Sequence, residues 1–348
     1  METIVYRLAL RGAFHQGVQG FAREGAGVTV PSDTLFAALV VAWADLGLDV
    51  DRMIAAFRGG ETPLQVSSTF PYAGPVRFYP NPLLAHRTTG PGTPPAVEKG
   101  LRKVDWVSEQ LFGTLLRGEA LDGEALVLAQ QETILLSARE APLLPRVIGD
   151  FGGDVRLWSG DVRPRVTLDR VAGASQIYHI GRMAYAPDCS LWFAVRTADP
   201  AWIDALEQAL DILSDTGLGG LRSIGHGAFA WTRWDGAGIP EVPVPSDYAV
   251  TLSRYAPDGP AGVEALTAPG ARYRLELVGG WSPGEGGARL RKRVRMVEPG
   301  SLLRADALHG RLVDVTPAIN DLGHRVYRYG WPFPVAVAAA ALKEVGHA

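Results

Sequence analysis

The sequence predicts an α+β chain, on three observations. Period-two and helical apolar patterns take turns along the first two thirds, a glycine-rich run joins one strong helix to a strand, and the last third alternates almost throughout. The opening stretch "TIVYRLALRG" places Ile4, Tyr6, Leu8 and Leu10 on one side, as a strand does. In "PSDTLFAALVVAWADLG", Leu35, Phe36, Leu39, Val40 and Trp43 recur at helical spacing, with Ser32 or Asp33 as the expected N-cap and Gly47 at the C-terminal end. A second helix is expected from Pro200 to about Ser214, capped by Asp199 and striped by Trp202, Ile203, Leu206, Leu210 and Leu213. "SLWFAVRT" before it and "GAFAWTRW" after it read as strands. The order strand, helix, excursions, strand, helix, glycine loop, strand is the skeleton of a ferredoxin-like βαββαβ unit with a large insertion.

The segment "DGAGIPEVPVPSDYA" is the expected linker, so a first domain is assigned to residues 1–236 and a second to 247–348. Beyond it, "YAVTLSRYAP", "ARYRLELVGG", "GARLRKRVRMVEPGSLL", "GRLVDVTP" and "HRVYRYGWPF" read as strands or hairpins, and only the closing "VAVAAAALKEV" reads as helix. A length of 348 residues with 47% apolar content suffices for two buried cores. Lys and Arg total 34 against 37 Asp and Glu, so any basic patch must be local. The start "METIVYRLAL" lacks the pattern of a signal peptide, and the longest apolar run, "WPFPVAVAAAAL", is short of the roughly 18–20 residues that span a bilayer; we expect a cytoplasmic chain with no membrane role. One cysteine, Cys189, excludes an intramolecular disulfide framework and fits a reducing compartment.

The run "DTGLGGLRSIGHGAF" holds Gly217, Gly219, Gly220, Gly225 and Gly227 around Arg222, Ser223 and His226. Glycines admit positive φ and close approach to the main chain, and bare amides beside an arginine suit phosphates. The alternative is a plain helix-to-strand turn. Nucleotide-binding fingerprints fail, because no Gly-Lys-Ser/Thr ends the run and it follows a helix where a dinucleotide loop should open one.

With "PSDTLFAALV", "PRVTLDRVAGAS", "MVEPGSLL" and "HRVYRYGWPF" spread in order along the chain, the loop "GLGGLRSIGHGAF" resembles that of the RAMP proteins, the RNA-binding subunits of CRISPR effector complexes. The set is similar to the type III-A (Csm) subunit that caps the 5′ tag of the crRNA. The resemblance implies two ferredoxin-like (RRM-like) domains with inserted hairpins, the first carrying the glycine loop and a long hairpin "thumb". It implies no intrinsic catalysis, no cofactor and no small-molecule substrate. The implied partners are the crRNA 5′ tag, the large polymerase- and nuclease-bearing subunit, and a neighbouring backbone RAMP subunit.

Further residues suit RNA. In "GARLRKRVRMVEPG", Arg289, Arg291, Arg293 and Arg295 alternate, so one strand would hold all four on one face as a phosphate track, or as an ordinary charged edge. Arg163, Arg165 and Arg170 lie near Tyr178 in the region that the resemblance makes the thumb, and Trp158 and Tyr178 are candidates for base stacking.

Some RAMP relatives cleave crRNA precursors with a histidine as acid or base, and His15, His179 and His226 are candidates by placement. His15, just past the first strand, carries the alternative reading of a crRNA-processing endoribonuclease. No G-x-S-x-G, H-E-x-x-H or calcium-loop motif occurs, Asp211 and Asp215 lack a third metal ligand nearby, and Cys189 lacks a basic neighbour. No metal site is expected. The aromatics of "YRYGWPFPVAV" serve either a core or a partner interface.

Overall fold

The computed structural model describes residues 2–17, 26–84, 93, 95–145, 156–168, 175–284, 287–319 and 322–342. The opening strand Glu2–Leu10 is the centre of the first half. It pairs antiparallel with Phe229–Arg233 on one side and Cys189–Thr197 on the other, and Cys189–Thr197 pairs in turn with Phe70–Ala73. Further strands extend this into a nine-stranded sheet ending at Leu126–Ala129. Tyr6 and Leu8 face a pair of helices, Ser32–Asp45 and Ala201–Thr216, as the alternation predicts. Those helices are held together by Trp43, whose indole N–H donates to Ala205 O at 2.8 Å and whose ring meets Trp202 edge-on at 6.3 Å.

The opposite face of the sheet is buried as well. Val5, Phe70, Trp192 and Ala194 share a core with Val250, Phe333 and Val335 of the second half. Arg7, on this face between Tyr6 and Leu8, stacks its guanidinium 3.5 Å from the Trp234 ring centroid, which disposes of a charge among apolar neighbours.

Sheet dominates the second half, in line with its alternating pattern. Pro245–Thr251 lies between Leu302–Arg304 and Pro334–Ala338, and the pairs Leu275–Val278/Val294–Val297 and Leu312–Asp314/Tyr327–Tyr329 form separate ribbons. The expected closing helix is instead the strand Pro334–Ala338 followed by a short 3-10 turn. Val335 and Val337 point inward at period two and pair against Pro245–Thr251, so tertiary pairing overrides the helix propensity of the alanines. The helices Val50–Arg58, Glu109–Arg117 and Gly259–Thr267 lie outside the sequence expectation. Three aromatics of the closing segment are core: Tyr329 stacks on Phe36 at 4.7 Å, and Trp331 and Phe333 are buried, whereas Tyr327 is half-buried.

Neither Ser32 nor Asp33 caps the first helix. Pro31 is the capping residue, no side chain caps the end, and both polar residues are buried. Ser32 Oγ accepts the Arg254 N–H at 2.9 Å. The Asp33 carboxylate, fully enclosed, takes Arg254 Nη1 at 2.9 Å on one oxygen and Arg328 Nη1 on the other. Glu276 completes the set on Arg254, and Arg328 donates onward to Gly279 O. A buried carboxylate thus fastens the first helix to two arginines of the second half.

Removing one partner of such a pair strands the other charge out of water. Asp33→Asn is expected to lower the unfolding free energy by about 3–5 kcal/mol, read as a fall in the urea midpoint at unchanged m-value.

Candidate functional site

The glycine loop runs from the end of helix Ala201–Thr216 to the strand Phe229–Arg233. Gly217, Gly219, Gly225 and Gly227 all take positive φ, between 80° and 85°, and so does Leu221 at 61°. Most of this glycine content serves the chain itself. A Cβ on Gly227 would lie 2.0 Å from Leu218 O, one on Gly219 2.5 Å from His15 O, and one on Gly217 2.6 Å from His226 O. Only Gly225 among these four faces open space.

The amides are largely spent internally too. Gly217 N–H donates to Leu213 O, Leu218 N–H to Gly227 O, Gly220 N–H to His15 O and Gly227 N–H to Ala13 O. The amides of Gly219, Leu221, Arg222 and Ser223 have no partner among the described residues. They lead into the short 3-10 turn Arg222–Ile224, which carries Arg222 and Ser223 exposed.

The loop is also the meeting point of distant segments. Phe14 and Met183 exchange both backbone hydrogen bonds at 2.8 Å, and His15 Nδ1 lies 2.6 Å from Gly181 O, so the turn after the opening strand ties the base of a long hairpin to the loop. That hairpin pairs Trp158–Leu168 with Ser175–Tyr185 in continuous register. Arg165 lies opposite Tyr178, Arg163 opposite Ile180 and Asp161 opposite Arg182. Asp161 bonds Arg163 at 2.8 Å and Arg182 at 2.6 Å, and these bonds hold its carboxyl well below the usual range. Arg165 is left with no acidic partner among the described residues. Trp158 is buried against Tyr185 and unavailable for stacking, Tyr178 is half-buried, and Arg170 lies outside the described residues.

His226 is buried in the loop, and burial is the largest influence lowering its pKa; the charges of Arg182 and Arg165 and neighbouring His15 add to this, against a hydrogen bond that the Ile224 backbone accepts from the ring. Sequence-distant His15, His226 and the hairpin arginines therefore share one neighbourhood.

The arginine stripe is not one strand. Gly287–Leu290 pairs with Trp281–Gly284, Val294–Val297 pairs with Leu275–Val278, and residues 291–293 break the run between them. The four arginines are accordingly dispersed. Arg293 is exposed, whereas Arg291 turns inward, donates from Nε to Ser282 Oγ at 2.7 Å, and has its pKa lowered by burial and by Arg328. Arg291 thereby meets the glycine loop across a groove of about 200 Å³, walled by Asp33 and Thr34 of the first helix, by Gly217, Gly219 and Arg222, and by Tyr327, Arg328 and Arg291. Sequence reasoning missed Tyr327, Arg328 and Arg182. The available signal was the alternation in "VYRYG", which sets Arg328 on the face opposite Tyr327 and Tyr329.

Among the described residues no three His, Cys, Asp or Glu side chains gather as metal ligands, and no helix is long and apolar enough to cross a membrane. Burial pushes the Cys189 thiol up to about 12, which leaves it unreactive at neutral pH.

Two outcomes follow from the loop. Gly225→Asn, with open space and a residue that tolerates positive φ, should cost less than about 1 kcal/mol, whereas Gly227→Asn should cost clearly more, measured by urea unfolding. A histidine whose folded pKa is depressed binds protons more weakly folded than unfolded. Stability is therefore lost as pH falls through about 6.5, and the drop in melting temperature between about pH 7.5 and about pH 5.5 should shrink in His226→Asn.

The CRISPR Csm4 C-terminal domain family matches residues 245–337. Over 312 residues, 88% of this chain and 91% of the relative, the chain is 28% identical to the CRISPR system Cms protein Csm4 of Thermococcus onnurineus (strain NA1). It is 22% identical to the protein of the same name from Methanocaldococcus jannaschii, over 95% of this chain and 96% of that one. Among solved structures, a chain of the Csm3–Csm4 subcomplex in the type III-A CRISPR-Cas interference complex superposes with a TM-score of 0.65 at 19% identity, covering 96% and 98%. A chain of the Csm1–Csm4 cassette in complex with cA4 superposes with a TM-score of 0.54 at 21% identity, covering 97% and 98%. These structural likenesses are likenesses of fold. With a matched C-terminal domain, two relatives alike over nearly their full length and a common fold, the chain is similar from end to end to the Csm4 RAMP subunits of type III-A CRISPR systems.

Proposed function

We propose that the chain is a non-catalytic, cytoplasmic subunit that holds the 5′ tag of the crRNA in a type III-A effector complex and docks the large subunit and a neighbouring backbone RAMP subunit. Relatives found as Csm1–Csm4 and Csm3–Csm4 assemblies support the two protein partners. The observation that carries the RNA reading is the groove, where Arg222, Arg291 and Arg328 from three separate parts of the chain converge beside the unpaired amides of the glycine loop. Guanidinium groups and free N–H groups recognise phosphate by charge and hydrogen bonds, and half-buried tyrosines such as Tyr327 and Tyr178 offer faces to unpaired bases.

In this reading residues 1–236 and 247–348 are two ferredoxin-like units. Support comes from the antiparallel order of Phe229–Arg233, Glu2–Leu10, Cys189–Thr197 and Phe70–Ala73, which in chain order is fourth, first, third, second, with both helices on one face. In the second half, Pro334–Ala338, Pro245–Thr251 and Leu302–Arg304 repeat the fourth, first, third arrangement, and Arg272 bridges to Leu302 at the next position. The long hairpin is the thumb.

One observation favours the second reading, an endoribonuclease using His15: its imidazole is held at the glycine loop, with Nδ1 2.6 Å from Gly181 O and the ring against Gly220. A metal-free incubation with single-stranded RNA separates the two. Retention of intact RNA with steep salt dependence supports the binding subunit, and cleavage abolished in His15→Ala supports the nuclease. Arg222→Glu, at an exposed position, should weaken RNA retention roughly tenfold or more while the melting temperature stays put, and the log–log salt slope should become shallower by about 0.7 for each phosphate the variant no longer neutralises.

A further inference from the structure

Besides the groove, the ribbon Leu312–Asp314/Tyr327–Tyr329 helps wall a larger open cavity of about 540 Å³. Arg58, Arg311 and Arg325 converge on it, and among the described residues the only acid lining it is Asp314. Asp314 is spoken for: it accepts Arg325 Nη1 at 2.7 Å and the Thr316 N–H at 2.9 Å, and its pKa is lowered to about 2 because these bonds outweigh its burial. Arg58 and Arg311 have no acidic partner among the described residues, so two uncompensated guanidinium groups face one concavity.

Arg58 closes the helix Val50–Arg58, where a cation complements the helix C-terminus, and that alone accounts for its charge. It does not account for Arg311, which adjoins the distant ribbon and lines the same space beside the Asp314-paired Arg325. The cavity and the groove share one lining residue, Tyr327. Arg222, Arg291 and Arg328 line the groove that Tyr327 borders, and Arg58, Arg311 and Arg325 line the cavity that it also borders.

The geometry points to a second phosphate subsite at Arg58, Arg311 and Arg325, reached by a single-stranded RNA that occupies the groove, passes Tyr327 and sets its next backbone phosphates in the cavity. The ligand class is the phosphodiester of single-stranded RNA, bound by charge with no base reading at this position. Tyr327 separates the two phosphate sites with an aromatic face, the element on which an unpaired base stacks. This inference rests on the groove being an RNA site.

The test uses the full chain and two labelled RNAs followed by anisotropy. One is roughly four nucleotides long, near the low end of a single-stranded site, and one is roughly twelve. The double variant Arg58→Ala/Arg311→Ala changes exposed side chains and should keep its melting temperature. It should bind the longer RNA roughly tenfold more weakly, with a salt slope shallower by about 0.7 for each phosphate released, and bind the shorter RNA like the parent. Arg222→Glu should weaken both.

If the double variant binds both RNAs like the parent while Arg222→Glu weakens both, the second subsite is wrong and the groove stands. Equal weakening of both RNAs by the double variant overturns it as well, since that marks a general field effect. The subsite is also overturned if inorganic phosphate alone occupies the cavity of the parent and leaves longer-RNA binding unchanged. If Arg222→Glu changes nothing for either RNA, the groove reading itself falls, and the inference with it.

Discussion

The chain is organised around one enclosed carboxylate. Asp33 sits at the start of the first helix, where a polar residue would ordinarily cap the backbone and face water, yet here it binds Arg254 and Arg328 from the second half. A buried ion of this kind contributes little net stability, because desolvation cancels most of the attraction. What it contributes is position. Two segments more than two hundred residues away in sequence are fixed against the helix, and the groove lies along that junction. Arg328 belongs to both: it lines the groove while its guanidinium is engaged by Asp33, which lines the groove as well.

The glycine loop works by a related economy. Gly217, Gly219 and Gly227 are needed because the chain passes close against its own carbonyls, and the amides spent there leave Gly219 and the stretch Leu221–Ser223 without partners among the described residues. The bare backbone is chiefly a means of folding the turn tightly against His15 and the hairpin base. Its outward display of Arg222 and Ser223 follows from that packing.

Much of the first half was legible because its signals are local. The opening strand and both helices follow from periodicity, and the loop follows from its glycines. The failures share a cause. Ser32 and Asp33 look like caps in sequence, and only tertiary packing turns them inward. The arginines from 289 to 295 keep period two straight through the break at 291–293, so the pattern carries no mark of where one ribbon stops and another starts. "VAVAAAAL" is helical by composition, but the neighbouring strand Pro245–Thr251 claims its valines. The groove draws its residues from four separate segments, and a pattern that runs along the chain carries no sign of their convergence.

The long hairpin carries a cost of its own. It shows Val162, Val166, Leu168 and Ile177 to solvent, each more than half exposed, on a two-stranded ribbon. Uncovered apolar ribbon of this kind recruits other strands. Clumping of the chain, were it to occur, would start at this arm, where side chains and open strand edges are displayed together.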